Sequence, residues 1–357
     1  MRIGIDARSL SKPITGIGRY TLELLDRMVL NNEHEWFIYS NRPLLNGNWD
    51  YPNVVVRNWN ISNRWLGMGW YQTILPLQVA KDKCDLFWSP AHYLPNFLPK
   101  SINTVVTIHD LVWKHAPETM RPLSKKLDSW LMPKAMQDSD AIISVSQWTA
   151  DDVVREIPGA LKKVFVIHEA ASSIESMAPK DGVLKDEYLL FVGTLEPRKN
   201  LPRLFEAYSK LSSELRKSFS LKVVGGSGWE GEMMIPDGVE IMGYVTDAEL
   251  DELYRGASLL LMPSLYEGFG LPIIEAMSRG TPVLTSNISS MPEVAGDAAI
   301  YVDPYSVESI TAGLNEVLSD PVLRGALSKQ GLKRATKFSW NKAVKQTLKV
   351  FEFTISK

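Results

Sequence analysis

The stretch PSLYEGFGLPIIEAMSRGTPVLTS runs from Pro263 to Ser286 and sets Glu267 directly before Gly268, Phe269 and Gly270, with Glu275 eight positions further on. Just before it, ASLLLMPS is a short apolar run of the kind that forms a buried strand. After the glycines, LPIIEAMSRG carries Pro272 where a helix accepts its first residue and Gly280 where it stops. The stretch therefore predicts strand, glycine turn and helix. In an α/β sheet such a turn lies at the carboxyl end of a parallel strand, where ligands bind and unpaired amides receive an anion or a hydroxyl oxygen. Two carboxylates around that turn need a reason of their own.

The same alternation recurs along the chain. RIGIDA, EWFIYS, NVVVRN, DLFWSP, NTVVTIHD, AIISVS and VFVIHEA read as strands, with helical stretches such as GRYTLELLDRMVL between several of them. After AASSIESMAPKDGVLKD, a polar, small-residue stretch suited to a linker, the pattern restarts with EYLLFVGT, SLKVVGG, VEIMGYV, ASLLLMPS, TPVLTS and AAIYVD. A chain of 357 residues is long for one domain and suits two. Two successive alternating patterns predict an α/β protein of two doubly wound, Rossmann-like domains, 1–174 and 175–338, with the ligand in the cleft between their strand ends. The final FSWNKAVKQTLKVFEFTISK reads as a helix with Trp340, Val344, Leu348 and Phe351 at helical spacing.

Composition narrows the classes. Lys+Arg 39 against Asp+Glu 41 gives a formal charge of -2, so no bulk footprint for nucleic acid is present. Cys84 is the sole cysteine, which rules out an intrachain disulfide and fits a reducing compartment. MRIGIDARSL alternates as a strand does and lacks the features of a signal peptide, and no apolar run is long enough to span a bilayer, so a cytoplasmic location is expected.

FVGTLEPRKNLPRLFEAYSKL follows a strand end and delivers Arg198 and Lys199 just before a helix. A planar guanidinium fork, a mobile ammonium and the helix amides together suit a diphosphate. An isolated Arg-Lys pair is more often a solvated one, but here it shares a strand-end edge with the glycine turn, and Gly225 and Gly226 stand on another. In KPITGIGRYTLELL, Gly16 and Gly18 are placed between the first strand and the first helix, where they fit either a simple turn or close approach of amides to a ligand. Thr21 occupies the third position of a dinucleotide fingerprint. His109, in VVTIHDL, stands at a strand end before Asp110 and could bind a substrate hydroxyl or share a proton; His34, His92, His115 and His168 show no cluster. Asp138–Asp140 precedes a strand and reads as a helix-to-strand turn, so no metal set is expected.

Taken together, EGFGLPIIEAM with its E-x7-E spacing, GTLEPRKN, TGIGRY and GYVTDAEL resemble the retaining glycosyltransferases of family 4, with the GT-B fold, over nearly the whole chain. The resemblance implies that Glu267 accepts hydrogen bonds from the donor sugar and that Glu275 holds the ribose. It implies that the amides around Gly268, Phe269, Gly270 and Leu271 orient the sugar diphosphate, and that Gly16 and Gly18 approach it. Arg198 and Lys199 would neutralise the leaving diphosphate with no metal or other cofactor, Val245 would border the base, and His109 would meet the sugar near the reacting centre. The final helix, 339–357, would cross back to the first domain. The likeness extends to bacterial mannosyltransferases of O-antigen and other surface polysaccharide, which implies GDP-mannose as donor and a lipid-linked oligosaccharide as acceptor. NRWLGMGWYQTILPLQVAK and RPLSKKLDSWLMPKAM, rich in aromatic and basic residues, could then touch the membrane surface or simply pack on the first sheet. Three readings compete: a UDP-hexose transferase of the same fold, an NAD-dependent oxidoreductase suggested by Gly16 and Gly18, and a non-catalytic partner that binds sugar nucleotide.

Overall fold

The structure, a computed structural model, describes residues 1–172, 187–226 and 234–356. The expected domain boundary at 174/175, most of the expected linker and the end of VVGGSGW lie outside the described residues. The chain divides into two compact units. Unit 1 comprises Met1–Leu111, Leu123–Glu169 and Trp340–Lys357, and unit 2 comprises Val112–Pro122 and Ala170–Ser339. The expected first domain, 1–174, thus differs from unit 1 in one internal respect, because Val112–Pro122 packs with unit 2. There Val112 and Ala116 form a small cluster with Tyr266, and the His115 ring stacks on the Tyr266 ring at 5.3 Å.

Unit 1 holds β1 (Arg2–Asp6), β2 (Glu35–Ser40), β3 (Val54–Asn58), β4 (Leu86–Ser89), β5 (Asn103–Ile108), β6 (Ala141–Ser144) and β7 (Val164–Val166). They form one parallel sheet in the order β3-β2-β1-β4-β5-β6-β7. Unit 2 holds β8 (Glu187–Val192), β9 (Phe219–Val224), β10 (Val239–Gly243), β11 (Leu259–Met262), β12 (Val283–Ser286) and β13 (Ile300–Val302), parallel in the order β10-β9-β8-β11-β12-β13. Parallel strands covered by helices on both faces become continuous apolar runs, and β4, β6, β11 and β12 are buried at every position. In each sheet the chain works outward from a central strand, then returns to that strand's other side. The reversals fall between β1 and β4 and between β8 and β11, and strand-end loops that diverge at such a point leave a crevice for a ligand.

The last helix, Trp340–Ile355, belongs to unit 1. Trp340 meets the Tyr20 ring edge-on at 6.1 Å, Phe351 packs against Trp88 at 5.6 Å, and Phe353 meets Phe165 at 5.2 Å. Its buried face is Trp340, Ala343, Val344, Thr347, Val350, Phe351 and Thr354. Leu348, expected on that face, is only half-buried, because the stripe passes through Thr347. Among the described residues no helix is long and apolar enough to cross a membrane.

Removing a fully buried aromatic ring loses its transfer energy and leaves a cavity. Phe351→Ala is therefore expected to lower the unfolding free energy by about 3–5 kcal/mol, and Leu348→Ala by about 1 kcal/mol, as read from denaturant midpoints. Equal losses would mean that the helix docks through a different face.

Candidate active site

In unit 2 the turn after β8 and the turn after β11 meet at the topological switch. The first turn is a short 3-10 segment, Pro197–Lys199, ended by Asn200 in the left-handed region at φ 64°. Asparagine is one of the few non-glycine residues that accepts this conformation readily. Its buried side chain spans outward: Nδ2 donates to the Pro263 carbonyl at 2.9 Å and the Pro304 carbonyl at 2.7 Å, while Oδ1 accepts from Arg203 at 3.0 Å. The Leu265 amide donates to the Arg198 carbonyl at 2.7 Å, so the two turns are joined through main chain as well.

That frame sets Arg198, Lys199 and Glu267 on one another. Arg198 Nη1 and Lys199 Nζ each donate to a different oxygen of Glu267 at 2.7 Å, and Arg198 Nε donates to Glu196 at 3.0 Å. Burial works against the Glu267 charge, yet the guanidinium and ammonium outweigh it and hold the carboxyl at about 2. Two cations and two carboxylates make the cluster formally neutral before any anion arrives. The reading from sequence assigned Glu267 to a sugar and the two cations to a diphosphate as separate tasks; in the fold the three side chains form one unit.

The glycine turn is anchored by residues that no sequence pattern announced. The Glu267 amide donates to Ser289 Oγ, and its carbonyl accepts from the Ser289 and Ser290 hydroxyls. Phe269 turns its ring inward against Phe338 at 5.7 Å, and its carbonyl accepts from Ser290. Gly270, at φ 98°, caps the helix Leu271–Ser278 from a left-handed conformation that a side chain would strain, and Gly268 is buried in the same turn. Pro272 is the second residue of that helix, not the first. Gly225 serves the neighbouring loop: a Cβ there would lie 2.0 Å from the Gly193 carbonyl oxygen.

Glu275 lies one turn into the helix, where Tyr254 Oη donates to its Oε2 at 2.8 Å and Arg279 Nη1 donates to its carbonyl at 2.9 Å. Tyr254 is a further residue that sequence reasoning missed. Val245 lies two residues past β10 and directly before Thr246, whose side chain closes a capping box with Glu249.

In unit 1, His109 follows β5 but presents no unengaged ring nitrogen. Nε2 sits 2.8 Å from the Pro90 carbonyl and Nδ1 sits 3.2 Å from Glu169 Oε1, with Tyr20 edge-on at 4.8 Å and Thr149 bonded to the His109 carbonyl. Burial opposes the charged ring, but Glu169 and the Pro90 carbonyl overrule it and raise the His109 pKa. Protonated on both nitrogens, the ring would donate to both acceptors, which is why they favour its charged form. Glu169, buried after β7, was not among the residues singled out from sequence. His92, read as isolated, lies with its ring 5.4 Å from that of His109. Gly16 and Gly18, expected between strand and helix, lie inside the first turn of the helix Gly16–Met28. A Cβ at Gly16 would meet nothing within 4 Å, so packing within the unit does not require glycine there.

Residues 14–171 match the description Glycosyltransferase Family 4, and residues 173–334 match Glycosyl transferases group 1. The O-antigen chain mannosyltransferase B of Escherichia coli is 30% identical over 384 residues, covering 99% of this chain and 100% of that protein. Among solved structures, sucrose-phosphate synthase from Thermosynechococcus elongatus superposes with a TM-score of 0.77 at 17% identity over 99% of both chains. WaaG, a glycosyltransferase involved in lipopolysaccharide biosynthesis, gives 0.75 at 17% identity over 97% of this chain and 98% of its own. At those identities the solved structures speak for the fold, while the sequence matches span both sheets and the cluster at Glu267. The chain belongs to the family 4 glycosyltransferases, enzymes of the GT-B fold.

Proposed function

We propose that this glycosyltransferase moves mannose from GDP-mannose, with retention at the anomeric carbon, onto a lipid-linked glycan during assembly of a surface polysaccharide. The observation that carries the reading is the full-length similarity to an O-antigen chain mannosyltransferase at 30% identity. The site supports it chemically. As the bond between the anomeric carbon and the diphosphate breaks, negative charge grows on the departing oxygen, and Arg198 and Lys199 are the cations fixed beside that turn. The acceptor hydroxyl oxygen bonds to the same carbon from the same face, and its proton passes to an oxygen of the departing phosphate.

Glu267 then acts by position. Its carboxylate, charged and shared between two cations, accepts hydrogen bonds from donor-sugar hydroxyls and keeps Arg198 and Lys199 aimed at the diphosphate. Glu275, held by Tyr254, accepts from the ribose hydroxyls. The amides of Gly268 to Leu271 orient the sugar, and Val245 borders the base. With its ring nitrogens engaged by Pro90 and Glu169, His109 acts by position and not by exchanging a proton. Two side-chain cations do the electrostatic work that other transferases give to a divalent ion, so donor binding needs no metal.

The acceptor side supports contact with a lipid surface. On the helix Arg64–Lys81, Trp65, Leu66, Ile74 and Leu77 are exposed, and so are Leu123 and Trp130 on the helix Pro122–Asp138, beside Arg121, Lys125 and Lys126. Phe97 is exposed between them on a loop tied to the first helix by the Asn96 amide on Gln72 and to the second by Tyr93 on Asp128. Apolar rings with flanking cations suit an anionic interface.

Calorimetric titration with EDTA present is expected to give at least ~10-fold tighter binding of GDP than of UDP, ADP or NAD, about 1.4 kcal/mol. A preference for UDP would keep the enzyme class and overturn the donor. Glu275→Ala is expected to weaken GDP binding ~10-fold, whereas Glu267→Ala should cut turnover by ~100-fold or more with a smaller effect on GDP affinity. Equal loss of GDP affinity in both would sink that division of labour. Vesicles containing anionic lipid should carry the protein upward on a density gradient at low salt, and Trp65→Ala with Trp130→Ala should leave it at the bottom; an unmodified protein that stays down removes the membrane contact.

A further inference from the structure

Unit 1 has a switch point of its own, between β1 and β4, and the loop that leaves β4 there carries His92. The backbone at His92 is in the left-handed region, φ 53°, one of four such non-glycine positions among the described residues. A residue with a Cβ pays about 1 kcal/mol for that conformation and keeps it only when the surroundings impose it. Here they do. The His92 amide donates to the Thr107 carbonyl at 3.0 Å, the Pro90 carbonyl accepts from His109, and the Tyr93 carbonyl accepts from Tyr71 Oη at 2.9 Å. The loop is fixed on both sides of the imidazole, and none of these bonds uses the ring.

The ring's chemistry is equally constrained. Nδ1 is sealed from solvent with no hydrogen-bond partner, whereas Nε2 is not among the sealed atoms. A proton on Nδ1 would be a buried donor with nothing to receive it, a cost of about 1–3 kcal/mol, so the neutral ring keeps its proton on Nε2. Burial and the neighbouring His109 charge hold the pKa down to about 4 against the opposing pull of Asp110. His92 is therefore a neutral N–H donor at physiological pH, on a half-buried residue of the loop that leaves β4 at the switch point. An ionised phosphate would favour an imidazolium, and a neutral donor matches a neutral hydroxyl.

We infer that His92 recognises the acceptor, donating from Nε2 to a hydroxyl oxygen of the glycan that receives the sugar. The inference rests on the reading of unit 1 as the acceptor side of a mannosyltransferase. It makes the switch point of unit 1 the acceptor-side counterpart of the Glu267 cluster in unit 2.

The test uses the full chain, GDP-mannose as donor and octyl α-mannoside as acceptor probe. Asparagine accepts the left-handed backbone but is too short to place a donor where Nε2 lies, whereas glutamine extends far enough. His92→Asn is expected to keep the melting temperature and GDP affinity of the unmodified protein and to raise the acceptor KM ~10-fold, a hydrogen bond's worth. His92→Gln should return it to within ~3-fold. An unchanged acceptor KM in His92→Asn, a matching fall in GDP affinity, or no recovery in His92→Gln would each overturn the assignment. So would an unmodified protein that binds GDP and transfers nothing to the mannoside. Failure to bind GDP would strike the donor reading instead.

Discussion

The Glu267 carboxylate, divided between Arg198 and Lys199, is the constraint to which the rest of unit 2 is fitted. A buried carboxylate persists only if cations reach it, and cations reach it only if two turns from different strands are locked together. Asn200 does the locking through Pro263 and Pro304, Leu265 adds a main-chain bond to Arg198, and Ser289 and Ser290 hold the Glu267 backbone from the far side. Gly225 lets the loop after β9 press against Gly193, the residue that begins the turn carrying both cations. The result is a charged cluster that is neutral as a whole and rigid in its parts. For the diphosphate donor proposed above, the cations would already be oriented, and little reorganisation would accompany the growth of charge.

Unit 1 repeats the topology with different chemistry. At its switch point the Arg8 guanidinium clamps Asp6 and lies 3.5 Å over the Tyr71 ring, and His92 stands on the next loop. Arg8 is paired with Asp6, His109 with Glu169, and His92 lies between the opposing influences of Asp110 and His109. One sheet thus presents two cations sharing a carboxylate, and the other a single Arg8–Asp6 pair beside aromatic and imidazole rings.

Much of the fold was legible because parallel strands covered on both faces must be continuously apolar. Every strand expected from runs such as EWFIYS and ASLLLMPS appears, with ends displaced by at most two residues except in VFVIHEA, where the strand stops at Val166, four residues early. The start of the helix after β1 was misplaced because glycine is no obstacle in a first turn, where the amides lack helical partners anyway. The Leu348 error came from counting only apolar residues, when Thr347 is fully buried in the stripe. Arg198, Lys199, Glu267 and Glu275 stood out by spacing and resemblance. Asn200, Ser289, Glu169 and His92 did not, since each matters through a conformation or a partner 15 to 104 positions away that only the folded chain creates. The excursion of Val112–Pro122 into unit 2 was hidden for the same reason: its small apolar cluster is built on Tyr266.

The division of the chain has a consequence for biosynthesis. The backbone passes from one unit to the other four times, at Leu111/Val112, Pro122/Leu123, Glu169/Ala170 and Ser339/Trp340. During translation the sheet of unit 1 is complete once β7 emerges, yet the surfaces of Tyr20, Trp88 and Phe165 that receive Trp340, Phe351 and Phe353 stay uncovered until all of unit 2 has been made. A nascent chain therefore carries an open aromatic face through the synthesis of some 170 intervening residues. Unit 1 cannot mature first and wait; its last layer arrives only after its neighbour exists, which couples the folding of the two halves in time.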